Sequence, residues 1–299
     1  MLRYHGGKWK LAPWLLGFFP PHRVYVEPFG GAASVLLRKP RSYAEVYNDL
    51  DGEIVNLFRV ARDQGEALDR ALTLTPYARA EYAEAWFASD DCVEQARRTL
   101  VRSFMGFASA SVTLGRKPAG TARGGLQHTG FRSNSNRSGT TPAHDWANFP
   151  AALRSVVTRL QGVVIEQREA GLVMLAHDGP ETLHYADPPY PSETRDTGHD
   201  YVHELSDDQH RRLAATLRSL TGMVVLSGYP CDLYDVELYP DWTRFERKAH
   251  ADGARKRTEV VWLSPRTVAA LPTLFNANVA PLAGGHDPVI PQGERSGRP

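Results

Sequence analysis

Short apolar runs and longer amphipathic stretches alternate along this chain, and the alternation predicts its elements. Runs at 24–28, 43–47, 162–166, 182–186, 223–226 and 259–263 are rich in β-branched and aromatic residues and read as buried strands. Between them apolar residues recur at helical spacing. Leu11, Trp14, Leu15 and Phe18 form one such face, stopped by Pro20-Pro21. A run at 35–39 stops at Pro40, and a helix is predicted over 52–62. Leu68 and Leu72, then Tyr82, Ala85 and Trp86, then Ala96, Leu100 and Phe104 continue the helical pattern, and a last helix is predicted over 209–220. Strands alternating with helices predict an α/β fold. From 106 to 150 the rhythm dissolves into Gly, Ser, Thr, Asn and Arg, which predicts a long loop or an insertion that orders on a partner. From 276 onward the chain is Gly/Pro-rich and reads as a disordered tail.

The first predicted strand runs into Phe29-Gly30-Gly31-Ala32-Ala33-Ser34, and the second into Asn48-Asp49-Leu50-Asp51. Strand, Gly turn, helix, strand and acid open a doubly wound nucleotide site, although the G-x-G-x-x-G fingerprint is absent. Small residues let a backbone approach a ligand, and a carboxylate about 20 residues on accepts from ribose hydroxyls. The same residues also suit a turn chosen for close packing, with Asp49 capping the next helix.

Asp187-Pro188-Pro189-Tyr190 closes the strand predicted at 182–186. Two prolines have no backbone N–H, so this turn presents carbonyl acceptors only. Asp187 adds a charged acceptor and Tyr190 a flat ring. Such a set suits a planar substrate carrying an NH2 group. Accepting the amine hydrogens pushes the nitrogen towards tetrahedral geometry and frees its lone pair for attack. The competing structural reading is a strand-ending turn with a solvated Asp and a packed Tyr.

Composition narrows the setting. The 299 residues, 42% hydrophobic and 23% charged, suit a globular protein. No apolar stretch approaches the roughly 18 residues of a membrane span, and the start lacks a secretory core, which predicts a cytoplasmic protein. Cys92 and Cys231 have no metal-like spacing, so neither a disulfide framework nor a metal is expected. A net charge of +1 hides an uneven distribution. From Gln95 to His144 there is no Asp or Glu, against Arg97, Arg98, Arg102, Arg116, Lys117, Arg123, Arg132 and Arg137.

Tyr4-His5-Gly6-Gly7-Lys8, Glu27-Pro28-Phe29-Gly30-Gly31, Asn48-Asp49 and Asp187-Pro188-Pro189-Tyr190, in that order, resemble the DNA adenine-N6 methyltransferase family, the Dam-like amino-methylating class. Leu226-Ser227-Gly228-Tyr229 and Glu259-Val260-Val261-Trp262 add to the likeness, which covers about 2–265. The resemblance implies a Rossmann-like class I methyltransferase sheet over 1–62 and 151–275, an inserted helical and loop target-recognition domain over 63–150, and a tail over 276–299. It implies S-adenosylmethionine as cofactor, held by Tyr4, Lys8, Phe29, Gly30, Gly31, Asp49 and Asp187. It implies that Asp187 and the Pro188 carbonyl, with Pro189, hold the target amine while Tyr190 stacks on a flipped base, and that Glu169 lies near the cofactor adenine. Ala33 departs from the family, which often has glycine there.

Duplex DNA is the partner this implies. Arg116, Lys117, Arg123, Arg132 and Arg137 would neutralise phosphates, with Asn134, Asn136 or an arginine reading base edges. Arg255, Lys256 and Arg257 would clamp the backbone beside the site, or form an ordinary charged hairpin turn. A monomer is expected, and a cognate restriction endonuclease stays open as a partner. Cytosine-N4, RNA adenine or protein glutamine are rival targets, and a DNA-binding protein without catalysis is a rival class. Those rival enzymes more often carry Ser or Asn at the Asp187 position.

Overall fold

The computed structural model describes residues 7–106, 130–133, 141–194, 203–250 and 256–272. Tyr4, Arg116, Lys117, Arg123, Asn134, Asn136, Arg137, Arg255 and the tail at 276–299 lie outside the described residues, and for Lys256 only the backbone is described.

Strands β1 (Val24–Glu27), β2 (Ala44–Asn48), β3 (Val163–Glu166), β4 (Thr182–Ala186), β5 (Met223–Gly228), β6 (Thr243–His250) and β7 (Lys256–Leu263) form one sheet. Its order is β3-β2-β1-β4-β5-β7-β6, parallel from β3 to β5, with β7 antiparallel to both β5 and β6. The chain winds outward from β1 through β2 to β3, then returns to place β4 on the other side of β1. The reversal leaves a crevice beyond the carboxyl ends of β1 and β4, where α/β sheets bind ligands. Every residue of β4 and β5 is buried, as expected of strands covered on both faces.

The helices are α1 (Ala12–Leu16), α2 (Gly52–Asp63), α3 (Gly65–Thr73), α4 (Arg79–Glu84), α5 (Cys92–Met105), α6 (Pro142–Leu160), α7 (Ala170–Ala176), α8 (Asp207–Ser219) and α9 (Pro265–Ala270). One buried cluster joins α2, α3 and α5 to the sheet, from Ile54 and Phe58 through Leu68, Leu100 and Phe149 to Tyr185 and Val225.

The structure corrects the sequence reading in three places. Residues 35–39 form turns, not a helix. The Leu36 amide donates to the Glu27 carboxylate at 2.9 Å instead of completing a helical ladder, and Arg159 takes the Leu36 carbonyl at 2.7 Å. The expected loop up to 150 is helical from Pro142. Thr141 Oγ1 accepts from the His144 amide at 3.2 Å, Pro142 occupies the first turn, and Trp146, Phe149, Leu153 and Leu160 are buried. Pro150, inside that helix, disguised it. Finally, β6 carries Arg244, Glu246, Arg247 and Lys248, and its charges gave no apolar rhythm. They suit an edge strand that must not pair with another chain.

Candidate active site

The turn after β1 is built on glycines that cannot be replaced freely. A Cβ on Gly30 would lie 2.1 Å from the Tyr47 ring, so the backbone sits flat against β2. Gly31 adopts φ 46°, a left-handed conformation that costs glycine nothing. Ala33 adopts φ 51°, which explains why glycine suits that position. The Gly30 amide donates to the Asn48 carbonyl at 2.8 Å and the Tyr47 hydroxyl to the Gly31 carbonyl at 2.7 Å. Buried Asn48 ties three loops at the switch point. Its Nδ2 donates to the carbonyls of Pro28 (2.9 Å) and Arg168 (3.0 Å), and its Oδ1 accepts from the Arg168 amide at 2.9 Å.

Asp49 braces the same turn. One oxygen accepts from the Gly31 amide and the other from the Asp51 amide, both at 2.8 Å. The helix-capping role belongs to Asp51, which accepts from the Glu53 amide at 2.9 Å. Burial raises the Asp49 pKa to about 6, against these two amides. Glu169 caps α7, accepting from the Gly171 and Leu172 amides at 3.0 and 2.9 Å.

Glu27, 2% exposed, accepts on one oxygen from the Tyr25 hydroxyl at 2.7 Å and the Leu36 amide at 2.9 Å. Burial pushes its pKa from 4.5 to about 8. The folded protein therefore holds a proton that the unfolded chain releases. The stability from that proton is full below about pH 4.5 and is lost as pH rises to about 8. Unfolding free energies are expected to decline across that window by at most about 1.4 kcal/mol per pH unit. Glu27→Gln keeps an acceptor for both donors and should flatten the decline; equal slopes for both proteins would exclude Glu27 as the cause.

Lys8, Glu27, Phe29, Gly31, Asp49 and Asp187 line a cavity of ≈ 400 Å³. Pro189 joins them, so the turns after β1, β2 and β4 meet at this cavity. His203, Glu204, Leu205 and Gln209 also line it, and the sequence reading missed them. The available signal was the capping box of Ser206 and Gln209, which fixes how this segment enters α8.

Asp187 is held on one side only. Its Oδ1 accepts from Ser227 Oγ at 2.8 Å and Tyr190 Oη at 3.0 Å, and pairs with Lys8 Nζ at 3.2 Å. Its Oδ2 has no hydrogen-bond partner among the described residues. Tyr185 Oη lies 3.0 Å from Ser227 Oγ, extending the network into the core.

Tyr190 is not the open plate its position in the motif suggested. It is 3% exposed, with Lys8 Nζ 4.8 Å from its ring centre and Tyr229 edge-on at 4.5 Å. Half-buried Tyr229 lies towards the surface, under the Arg257 guanidinium at 5.1 Å. Arg257 also donates to the Thr194 carbonyl at 3.2 Å, which pins the segment after the motif.

The acid-free segment is less free than its composition implied. Arg97 pairs with Glu94 and Glu81, and Arg98 with Glu94. Arg102 is fully buried against Glu53 and lies 5.4 Å from the Trp86 ring centre. All of these acids precede Gln95 in the sequence; Glu94 meets Arg97 and Arg98 along α5, whereas Glu81 and Glu53 reach Arg97 and Arg102 through the fold. Arg132 is anchored through its amide to the Met105 carbonyl at 2.8 Å and through its guanidinium to Phe104 at 3.3 Å.

Among the described residues no cluster of His, Cys, Asp or Glu could hold a metal, and no helix is long and apolar enough to cross a membrane.

A sheet of this order, with a Gly turn at its switch point and Asp-Pro-Pro-Tyr on the adjoining strand, defines a Rossmann-like class I amino-methyltransferase. The family model for D12 class N6 adenine-specific DNA methyltransferases matches residues 4–250, and the chain belongs to that family. It is an adenine-specific DNA methyltransferase. No curated protein matches the chain.

Proposed function

We propose that the protein transfers the methyl group of S-adenosylmethionine to the N6 amine of an adenine flipped out of duplex DNA. The observation that carries this reading is the one-sided restraint of Asp187, whose Oδ1 is saturated while Oδ2 faces no protein donor among the described residues.

The cavity's chemistry fits the cofactor. Asp49 places a carboxylate, and Glu27 a carboxyl group able to hydrogen-bond, around a ligand that carries a sulfonium and an ammonium, and Lys8 offers a cation to its carboxylate. When bound, the cofactor supplies an already activated methyl group. The protein's part is then mostly alignment, which is worth several kcal/mol when the reacting atoms are held in line. Asp187 Oδ2 and the Pro188 carbonyl accept the amine hydrogens, and Pro189 keeps donors away. Flipping the base costs a few kcal/mol, and stacking on an aromatic ring returns about 1–3 kcal/mol. Tyr229 and Tyr190 are the rings beside Asp187, with Tyr229 the more accessible. Arg257 and Arg132 are the described cations proposed to meet phosphate; Arg116, Lys117, Arg123, Arg137, Arg255 and Lys256 remain proposed with them. The target-recognition assignment of 63–150 is likewise a proposal.

Incubating the protein with methyl-labelled S-adenosylmethionine and duplex DNA, then digesting to nucleosides, tests this. Label in N6-methyladenine is expected; label in N4-methylcytosine, or transfer to RNA but not to DNA, overturns it.

Asp49→Ala should weaken cofactor binding by about 1.5–3 kcal/mol, the range for a hydrogen bond to a charged group. The loss acts through the turn, because both Asp49 oxygens are engaged by backbone amides. Calorimetry returning wild-type affinity in a folded variant would remove Asp49 from the cofactor site.

A further inference from the structure

Glu259 stands on β7 behind the catalytic motif, only 8% exposed, and its Oε2 lies 3.3 Å from Tyr190 Oη. The same phenol lies 3.0 Å from Asp187 Oδ1. Two carboxylates thus reach for one hydroxyl proton. If both are ionised, the phenol serves only one of them and two negative charges face each other in a buried site, which is costly. If Glu259 carries a proton, the count closes. Glu259 donates to Tyr190 Oη, and Tyr190 donates to Asp187 Oδ1.

We propose that Glu259 is a positioning residue: as a neutral acid it directs the Tyr190 hydroxyl onto Asp187 Oδ1, and so keeps Oδ2 turned to the substrate amine. This rests on the reading of Asp187 as the amine holder. The charged and titratable groups around Glu259 come from several elements. Lys8 belongs to the segment before α1, Asp187 and Tyr190 to the turn after β4, Tyr229 to the end of β5, Arg257 to β7 itself, and Arg247 is the cross-strand partner on β6. Burial holds the Glu259 carboxyl above its ordinary range. Lys8 opposes this, Asp187 reinforces it, and the Tyr190 hydrogen bond and then Arg257 oppose it more weakly. Three cations near a buried acid resemble a plain ion-pair site, but Lys8 is 3.2 Å from Asp187 and Arg257 lies over Tyr229.

The test compares wild type, Glu259→Ala and Glu259→Gln by single-turnover rate and pH profile. Glu259→Ala should slow methyl transfer about tenfold, the scale of one buried hydrogen bond, with KM for cofactor and DNA within about twofold. Glu259→Gln restores a neutral donor and should recover most of that loss. The wild-type rate should fall as pH rises through the ionisation of Glu259, and the Gln variant should lack that limb. A Gln variant as slow as Ala, or one whose pH profile superimposes on wild type, overturns the proposal. The wild-type and Gln comparison stands alone if the Ala variant does not fold. Asp187→Asn separates the two levels. If it methylates normally, the amine-holding reading itself fails. If it is inactive while the Glu259 variants match wild type at every pH, only the role of Glu259 fails.

Discussion

Asp187→Asn is expected to slow methyl transfer by about 10²–10⁴-fold, the span seen when a group acting directly on the reacting atoms is lost. The arrangement around Asp187 dictates which way the new amide points. Ser227, Tyr190 and Lys8 all converge on Oδ1, so the asparagine carbonyl must take that place. Its NH2 then occupies the position of Oδ2 and meets the substrate amine donor to donor. The fold should survive, because the three donors keep an acceptor. Both variants lose the ion pair with Lys8, but Asp187→Ala is the harsher change, since it also leaves Lys8, whose side chain is 5% exposed, without the acceptor that the asparagine carbonyl still offers. Single-turnover rates, with thermal unfolding and cofactor titration as controls, check this. A near wild-type rate in the Asn variant would mean that Asp187 does not hold the amine.

The largest effect on stability is expected at Arg102. Its side chain is fully buried, joined to Glu53, which also accepts from Thr99 Oγ1 at 2.6 Å and Gln95 Nε2 at 3.0 Å. Arg102→Met roughly conserves volume yet takes from a buried carboxylate the cation it is joined to. Breaking one side of such a pair costs about 3–5 kcal/mol. Adding Glu53→Gln removes the stranded charge and should recover much of the loss, so the two changes should be far from additive. Urea titration of the single and double variants measures this. A single-variant loss below about 1 kcal/mol would show that the pair contributes little.

Fold class and the glycine turn were legible because their signals are local. A strand such as Thr182–Ala186, buried on both faces, prints an apolar run into the chain, Gly30 stands where a side chain would strike Tyr47, and Gly31 adopts a left-handed φ that favours glycine. The order of motifs around Asp187 was legible for the same reason. What was not legible depends on distant partners. The run at 35–39 reads as helical until Glu27 and Arg159 take the Leu36 backbone groups. The basic segment reads as free until Glu53, Glu81 and Glu94 come to meet three of its arginines. Tyr190 reads as a stacking plate until Tyr229 and Lys8 close over it. Glu259 stood in a string that added to the likeness, but its place beside Tyr190 was not legible, since only the pairing of β5 with β7 brings it there.

Helix α6 has a practical consequence for anyone who would exchange the segment between α5 and α6 among relatives. Residue 150, where composition suggests a seam, lies inside one continuous helix. Its first half packs Trp146 and Phe149 onto Phe104 of α5, while near its end Arg159 grips Glu45 on β2 at 2.6 Å. A graft cut at that seam would sever a girder that runs from the helical bundle into the sheet. Junctions placed after Met105 and before Thr141 would leave the girder whole, and a chimera so spliced should inherit the recipient's sheet undisturbed.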